Sequence, residues 1–408
     1  MGGTRTGNRD ALAARTTWID RYRHTRLLHA VSGGGWMKHR LSVGVLMPGF
    51  SSDARDWAIP VQLNLAREQA QHVDYRILAL RYPHRQDRYT VAGAEVHSLG
   101  YGAWTRGVKR FALWIDAMRT LNAMHRERPF DVLHAMWADE TGLIAGWFGK
   151  RENIPVVVSV NGSELASLPD LGYGGQLTRF SRWITDRALA NAARVIVPSG
   201  YIHDLLANHA PHSIPKTVII PFGVDATRFT PTDLYDPRRL ICVASLIPIK
   251  DHDTLLRAVA RLNDVSLNLI GEGALKATLE RRARELGIAD RVHFVGAVAH
   301  EDLPAHYQRA ALHVLASRHE TFALSIAEAA ACGVPSVTTH VGMLPDFPTI
   351  GLTVPISDDV ALADAIRVML DDPQRLAAYR KSARAVVERE LTIPYVAARL
   401  RHLYAMLG

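Results

Sequence analysis

Residues 317–346, SRHETFALSIAEAAACGVPSVTTHVGMLPD, set two carboxylates, Glu320 and Glu328, eight residues apart across the expected start of a buried helix. The preceding run ALHVLA (311–316) is apolar and of strand length, and FALSIAEAAACG carries the small, apolar residues of a packed helix that stops at Gly333. Glu320 then falls in the turn from strand to helix, and Glu328 about two turns into the helix. The backbone N–H groups of Thr321, Phe322, Ala323 and Leu324 are expected at the open helix end, where they attract a phosphate or a sugar hydroxyl. Glu328, an acceptor of strong hydrogen bonds, suits a ribose diol. The plainer alternative is two solvated carboxylates on a helix.

In this stretch Glu320, Glu328, Ala329, Gly333, Pro335, Val337, Gly342, Pro345 and Asp346 follow one another at fixed spacing. The pattern resembles the retaining GT-B glycosyltransferases of the group 1 (family 4) type: a Glu, seven residues, Glu-Ala, then Gly-x-Pro-x-Val and a Gly-rich turn ending in Pro-Glu. Met343 stands where that family usually has a second Gly, and Asp346 where it has Glu. The resemblance implies an α/β GT-B fold, two Rossmann-like doubly wound parallel-sheet domains facing a central cleft. It also implies sugar transfer with retention, in which Glu320 contacts the donor sugar and Glu328 the ribose.

A chain of 408 residues is long for a single core, so two domains are expected. Hydrophobic residues make up 48% and charged residues 22%, and no apolar run approaches the ~20 residues that cross a bilayer. Cys242 and Cys332 lie in apolar surroundings without metal-ligand spacing, which reads as buried thiols of a cytoplasmic enzyme. The net charge of +8 invites a nucleic-acid partner, but residues 1–36 carry six Arg against two Asp and hold half of the excess. No nucleic-acid partner is therefore expected. Residues 1–36 read as a poorly ordered extension, with Met37 as a candidate natural start and a basic amphipathic anchor as the alternative.

Strand-like runs at 41–47, 75–80, 132–136, 156–160 and 195–199 alternate with helical stretches, and a second set begins near 240. The polar stretch TPTDLYDPRR (230–239) marks the joint, giving domains 37–229 and 230–390. By resemblance, residues 391–408 form a helix that returns to the first domain. The helix expected at 107–126 carries Lys109 and Arg110 beside aromatic residues, a pattern that fits either a solvated face or peripheral contact with an anionic membrane at its inner side.

Sugar transfer needs positive charge at the departing diphosphate. In ASLIPIKDHD, Lys250 sits in a strand-to-helix loop as a point cation and matches the family's diphosphate lysine, while Ser245 replaces the family's Arg and keeps a neutral donor. Gly296 and Val298, in FVGAV, match the family's base-contacting loop, beside GEGALK at 271–276. In VNGSE, Asn161 stands where the family has a His near the reacting sugar, so the leaving phosphate, rather than an enzyme base, is expected to take the acceptor proton. Glu164 follows in the same motif. His134 and Glu140, in DVLHAMWADE, and Gly49, in the turn after the first strand, are candidate acceptor or cleft residues, His134 having the alternative of a core histidine. Phe222 replaces Asn in the stretch IPFGVD (220–225). No Asp-x-Asp triplet or short-spaced His cluster appears, so no metal and no cofactor are expected beyond a nucleoside-diphosphate sugar as co-substrate. A carbohydrate or lipid-linked acceptor completes the expectation. Two alternatives remain: a nucleotide-sugar-binding protein without turnover, and a GT-B epimerase.

Overall fold

The computed structural model describes residues 40–53, 56, 60–102, 105 and 107–408. The expectations for residues 1–36 and for Met37 lie outside the described residues.

Between residues 42 and 219 eight strands form one sheet: β1 (Ser42–Gly49), β2 (Asp74–Tyr82), β3 (Gln86–Val91), β4 (Ala94–Leu99), β5 (Val132–Ala135), β6 (Val156–Ser159), β7 (Arg194–Val197) and β8 (Thr217–Ile219). Their order is β3-β4-β2-β1-β5-β6-β7-β8, and every pairing is parallel except that of β3 with β4. A second sheet holds β9 (Asp236–Val243), β10 (Ser266–Ile270), β11 (Val292–Gly296), β12 (Ala310–Leu315), β13 (Ser336–Thr339) and β14 (Gly351–Val354). It is parallel throughout, in the order β11-β10-β9-β12-β13-β14. All six residues of β12 and all four of β5 and β6 are buried, the mark of strands covered by helices on both faces.

Reading by apolar runs finds the central strands and the edge strand β11, and misses β3, β4, β8 and β14. The hairpin β3–β4 is polar on one side, and β8 and β14 are short edge strands. Residues 236–239 of the polar joint open β9, because pairing with β12 and β10 overrides their composition. The last helix, Ile393–Ala405, packs on helix Pro60–Gln69, where Gln69 donates to the Ala397 carbonyl at 3.2 Å and Arg401 reaches back to Gln69 at 3.3 Å.

Two parallel sheets fix where a site forms. In each, all strands but β3 run the same way, so the loops leaving their carboxyl ends gather along one edge. Loop 161–164 follows β6 and loop 199–201 follows β7. Loops 244–250, 271–273, 297–298 and 317–323 follow β9, β10, β11 and β12, which lie side by side.

Candidate active site

The strand-to-helix turn after β12 is shorter of helix than its sequence promises. Helix Leu324–Ala331 starts at Leu324 behind Ala323, whose φ of 66° is left-handed, so Thr321 and Phe322 precede it and Glu328 is its fifth residue, about one turn in. Among the described residues the amides of Thr321, Phe322, Ala323 and Leu324 donate no hydrogen bond, although only that of Leu324 belongs to the helix. The Thr321 carbonyl accepts from Ser199 Oγ at 2.7 Å, and the Phe322 carbonyl accepts from the Met343 amide at 2.9 Å. The Phe322 ring is buried edge-on against Phe222, 5.3 Å between centroids, which accounts for Phe rather than Asn at 222. Gly342 lies under this turn with φ of 68°, its Cβ position 2.8 Å from the Phe322 carbonyl, whereas Met343 has φ of −85° and has no need of glycine there.

Glu320 and Lys250 come together from 70 residues apart. Lys250 Nζ lies 2.5 Å from Glu320 Oε1, and Ser317 Oγ donates to the same oxygen at 2.7 Å. Lys250 closes the turn Pro248–Lys250, and Asp251, with φ of 45°, caps helix His252–Ala260 behind it. Among the described residues Oε2 of Glu320 has no partner and stays open to a ligand hydroxyl. Glu328 is held at both oxygens: His300 Nε2 lies 2.8 Å from Oε1, and the Tyr307 hydroxyl donates to Oε2 at 3.0 Å. Burial, with the Glu328 charge second, pushes the Tyr307 phenol well above its ordinary range, so it remains a donor.

The neighbouring loops of the second sheet fit one another by glycine. Gly271, φ 139°, has its Cβ position 2.1 Å from the Ala244 carbonyl, and only glycine fits there. Gly296 ends β11 with φ of 86° and its carbonyl accepts from the Gly271 amide at 2.8 Å. Val298 packs half-buried against the core, and Ser245 is exposed beside the Gly271–Gly273 loop, its carbonyl 3.1 Å from His252 Nε2.

Across from these loops stand residues of the first sheet. Asn161 donates its side-chain amide to the Met136 carbonyl at 2.8 Å. Glu164 accepts from the backbone amides of Gly162 (2.7 Å), Ala138 (3.0 Å) and Asn161 (3.4 Å), and burial nevertheless pushes its carboxyl up to about 7. It is a brace for the 161–162 backbone rather than an open cleft group. Two further candidates, His134 and Glu140, are enclosed in the same sense. His134 is enclosed, Nδ1 2.6 Å from the Tyr404 hydroxyl and Nε2 2.8 Å from Ser159 Oγ, with burial pushing it down to about 3, so it stays neutral and braces the last helix. Glu140 is buried between the guanidinium groups of Arg81 and Arg110 and accepts from Trp114 Nε1 at 3.0 Å. Gly49 is needed for packing, since its Cβ position is 2.7 Å from Tyr82 Cβ.

The two carboxyl edges touch. Besides Ser199 with Thr321, the Gly200 amide donates to Asp346 Oδ2 at 2.7 Å, Thr321 Oγ1 donates to the Gly162 carbonyl at 3.2 Å, and Tyr201 hydroxyl lies 3.1 Å from His319 Nδ1. Sequence reading missed Ser199, Tyr201, His319, His300 and Tyr307. Their partners lie 21 to 122 residues away, and of these five only His319, next to Glu320, had a local signal. Burial pushes His319 below its ordinary value despite the adjacent Glu320 charge.

Two doubly wound sheets whose carboxyl edges oppose across a cleft, with a Lys–Glu pair on one lip, define a GT-B protein. Residues 226–386 match the model of Glycosyl transferases group 1, and residues 59–223 match the Glycosyl transferase 4-like domain. The chain belongs to the group 1 glycosyltransferase family. The GDP-mannose-dependent alpha-(1-6)-phosphatidylinositol monomannoside mannosyltransferase of Mycolicibacterium smegmatis is 34% identical over 184 residues, 39% of this chain and 48% of that protein. A D-inositol 3-phosphate glycosyltransferase of Geodermatophilus obscurus is 30% identical over 293 residues, 65% and 61% of the two chains. Matches to these relatives thus span about half to three-fifths of the relatives' length. The fold is that of the sucrose-phosphate synthase from Thermosynechococcus elongatus, with a TM-score of 0.73 at 22% identity, covering 90% of this chain and 99% of that one.

Proposed function

We propose that the chain transfers a glycosyl group from a nucleoside-diphosphate sugar to a hydroxyl of a carbohydrate or lipid-linked acceptor, with retention at the anomeric carbon. The observation that carries this reading is the Lys250–Glu320 pair on the carboxyl edge of the second sheet, facing loop 161–164 of the first. In the reaction the bond from the anomeric carbon to the diphosphate oxygen breaks, and the acceptor oxygen bonds to that carbon from the same face. The acceptor proton passes to the leaving phosphate. Lys250, with two further N–H donors, and the N-terminus of helix Leu324–Ala331 offset the charge that builds on the diphosphate. Glu320 Oε2 accepts from a hydroxyl of the transferred sugar. Glu328, fixed by His300 and Tyr307, has acceptor capacity left for the ribose diol. Asn161 Oδ1, its amide already engaged with Met136, is oriented to accept from a sugar hydroxyl and takes no proton in the reaction.

The activities of the two relatives support a phosphorylated polyol or its lipid-linked form as acceptor, and glycolipid, cell-surface polysaccharide or small-glycoside synthesis on the cytoplasmic side. With Lys250 at the diphosphate, turnover is expected to persist in EDTA. A thermal-shift screen against UDP-, GDP- and ADP-sugars tests the donor, because a ligand that binds the native state alone raises the melting point. NMR of the product of the stabilising donor reads the anomeric configuration. No stabilisation by any donor overturns the reading, and stabilisation without turnover across an acceptor panel assigns nucleotide-sugar binding alone.

A further inference from the structure

Three helices packed in a row against the first sheet, Val108–Glu127, Glu140–Glu152 and Arg179–Asn191, leave a run of large apolar side chains uncovered. Phe111 is 59% exposed, Ile115 51%, Phe180 43% and Trp183 41%. Between the first two helices lies an open groove of about 830 Å³, lined by the apolar Phe111, Trp114, Ile115, Met118 and Trp147 and in equal number by polar or charged side chains, Arg126 and Glu152 among them. The rings are continuous: Trp147 stands edge-on to Trp114 at 5.4 Å, Trp114 to Phe111 at 5.3 Å, and Phe180 stacks on Trp183 at 6.1 Å. The Arg110 guanidinium, 4.8 Å from the Phe180 ring centre, joins the two groups.

The charge on the same helices is one-sided. Asp116, Glu127, Glu152 and Asp186 are each already paired, with Arg119, Arg88, Arg151 and His209. Exposed Lys109, Arg126, Lys150, Arg179, Arg182 and Arg187 form no ion pair among the described residues. Such a surface has an apolar, partly aromatic centre and an unneutralised cationic surround. A second copy on a two-fold axis would set these cations against themselves. A polynucleotide would meet the charge but leave Ile115, Met118 and Val108 without apolar contact.

We propose that this three-helix face is a docking surface for an anionic phospholipid bilayer, with the Trp114–Trp147 groove receiving apolar lipid and the six unpaired cations meeting the headgroup phosphates. The expected helix at 107–126 contributed only part of it. Two of the three helices that complete the face lie further along the chain. The proposal does not rest on the transfer reaction, because docking is measured without turnover.

The test is vesicle flotation of the full chain, with phosphatidylcholine alone and with equal parts phosphatidylglycerol. Binding is expected to the mixed vesicles only, to weaken with salt, and to fall at least about tenfold in the triple variant Lys109→Glu/Arg126→Glu/Arg182→Glu. Phe111→Ser/Ile115→Ser/Trp183→Ser is expected to retain a salt-labile residue of binding and lose the salt-resistant part. All six positions are exposed, so urea midpoints should stay within error of the parent and separate docking from folding. Failure of the parent to float with the anionic vesicles overturns the proposal. So does flotation unchanged in both variants, which would move the contact elsewhere on the chain. A dimer in light scattering that the apolar variant dissolves assigns the face to a second copy, and salt-sensitive polynucleotide binding without flotation assigns it to nucleic acid.

Discussion

Lys250 illustrates how one side chain is kept ready by its neighbours. Its ammonium sits on Glu320 Oε1, which Ser317 also holds, so the cation is fixed at the mouth of the cleft before any phosphate arrives. Lys250→Ala is expected to lower kcat about 10²-fold, the scale for losing one preorganised charge at a developing anion, with a smaller change in donor KM. Steady-state kinetics on the donor found by thermal shift check it, and a purely KM effect would place Lys250 in ground-state binding. Glu164 gives a pH signature. Its carboxyl is raised from 4.5 to about 7 by burial, so between those values the folded chain holds a proton that the unfolded chain has released. Stability therefore falls as pH rises through that window and levels off above it, by up to about 3 kcal/mol for this group alone. Glu164→Gln removes the titrating site, and urea denaturation at pH 4.5 to 8 should show a flatter profile than the parent. An unchanged difference between the two across the window would mean that the carboxyl is already ionised inside the fold.

At the scale of elements, the carboxyl edge of the second sheet, the proposed donor side, is built from loops whose glycines pack directly on neighbouring backbone. Gly271 faces the Ala244 carbonyl and Gly273 the Leu246 carbonyl at 2.3 Å from its Cβ position. Gly271→Ala combines a left-handed φ with a clash against backbone. It is expected to cost about 1–3 kcal/mol and to weaken donor binding, read as a lower urea midpoint and a higher donor Kd. This level also shows what sequence makes visible. Central strands such as β6 and β12 are continuous apolar runs, and the Glu320–Glu328 spacing lies within one strand-turn-helix unit, so both are local signals. The β3–β4 hairpin, β8 and β14 are edge strands whose polar or short segments carry little pattern. The start of helix Leu324–Ala331 was misplaced because Phe322 and Ala323 look helical, while Phe322 is pulled out of the helix by packing on Phe222. His134 and Glu140 looked like cleft residues for the opposite reason: their partners, Tyr404 and Arg81, come from distant segments that cover them.

For the whole molecule, the question is what holds the two sheets face to face. Ser199 to Thr321 and Gly200 to Asp346 both join the start of helix Gly200–His209 to the turns flanking the Glu320–Glu328 unit. The Asp346 carboxylate also lies at the positive end of that helix, and Gly200 admits it because a Cβ there would sit 2.4 Å from Asp346 Oδ1. Asp346, one carbon shorter than the Glu usual at this place in the family, thus takes part in clasping the lobes. A net of about 1 kcal/mol per hydrogen bond makes the pair of contacts worth roughly a thirtyfold shift between closed and open arrangements. Ser199→Ala/Asp346→Ala should therefore increase the radius of gyration in solution scattering without donor and leave each lobe folded by circular dichroism. In the proposed reaction Glu320 and Asn161 act from opposite lobes, so kcat and donor KM should both worsen, and saturating donor should restore the compact scattering curve. If the double variant scatters like the parent with and without donor, the lobes are held by other contacts, among them Arg318 with Asp170, Thr321 with Gly162 and Tyr201 with His319, and the clasp has to be sought there.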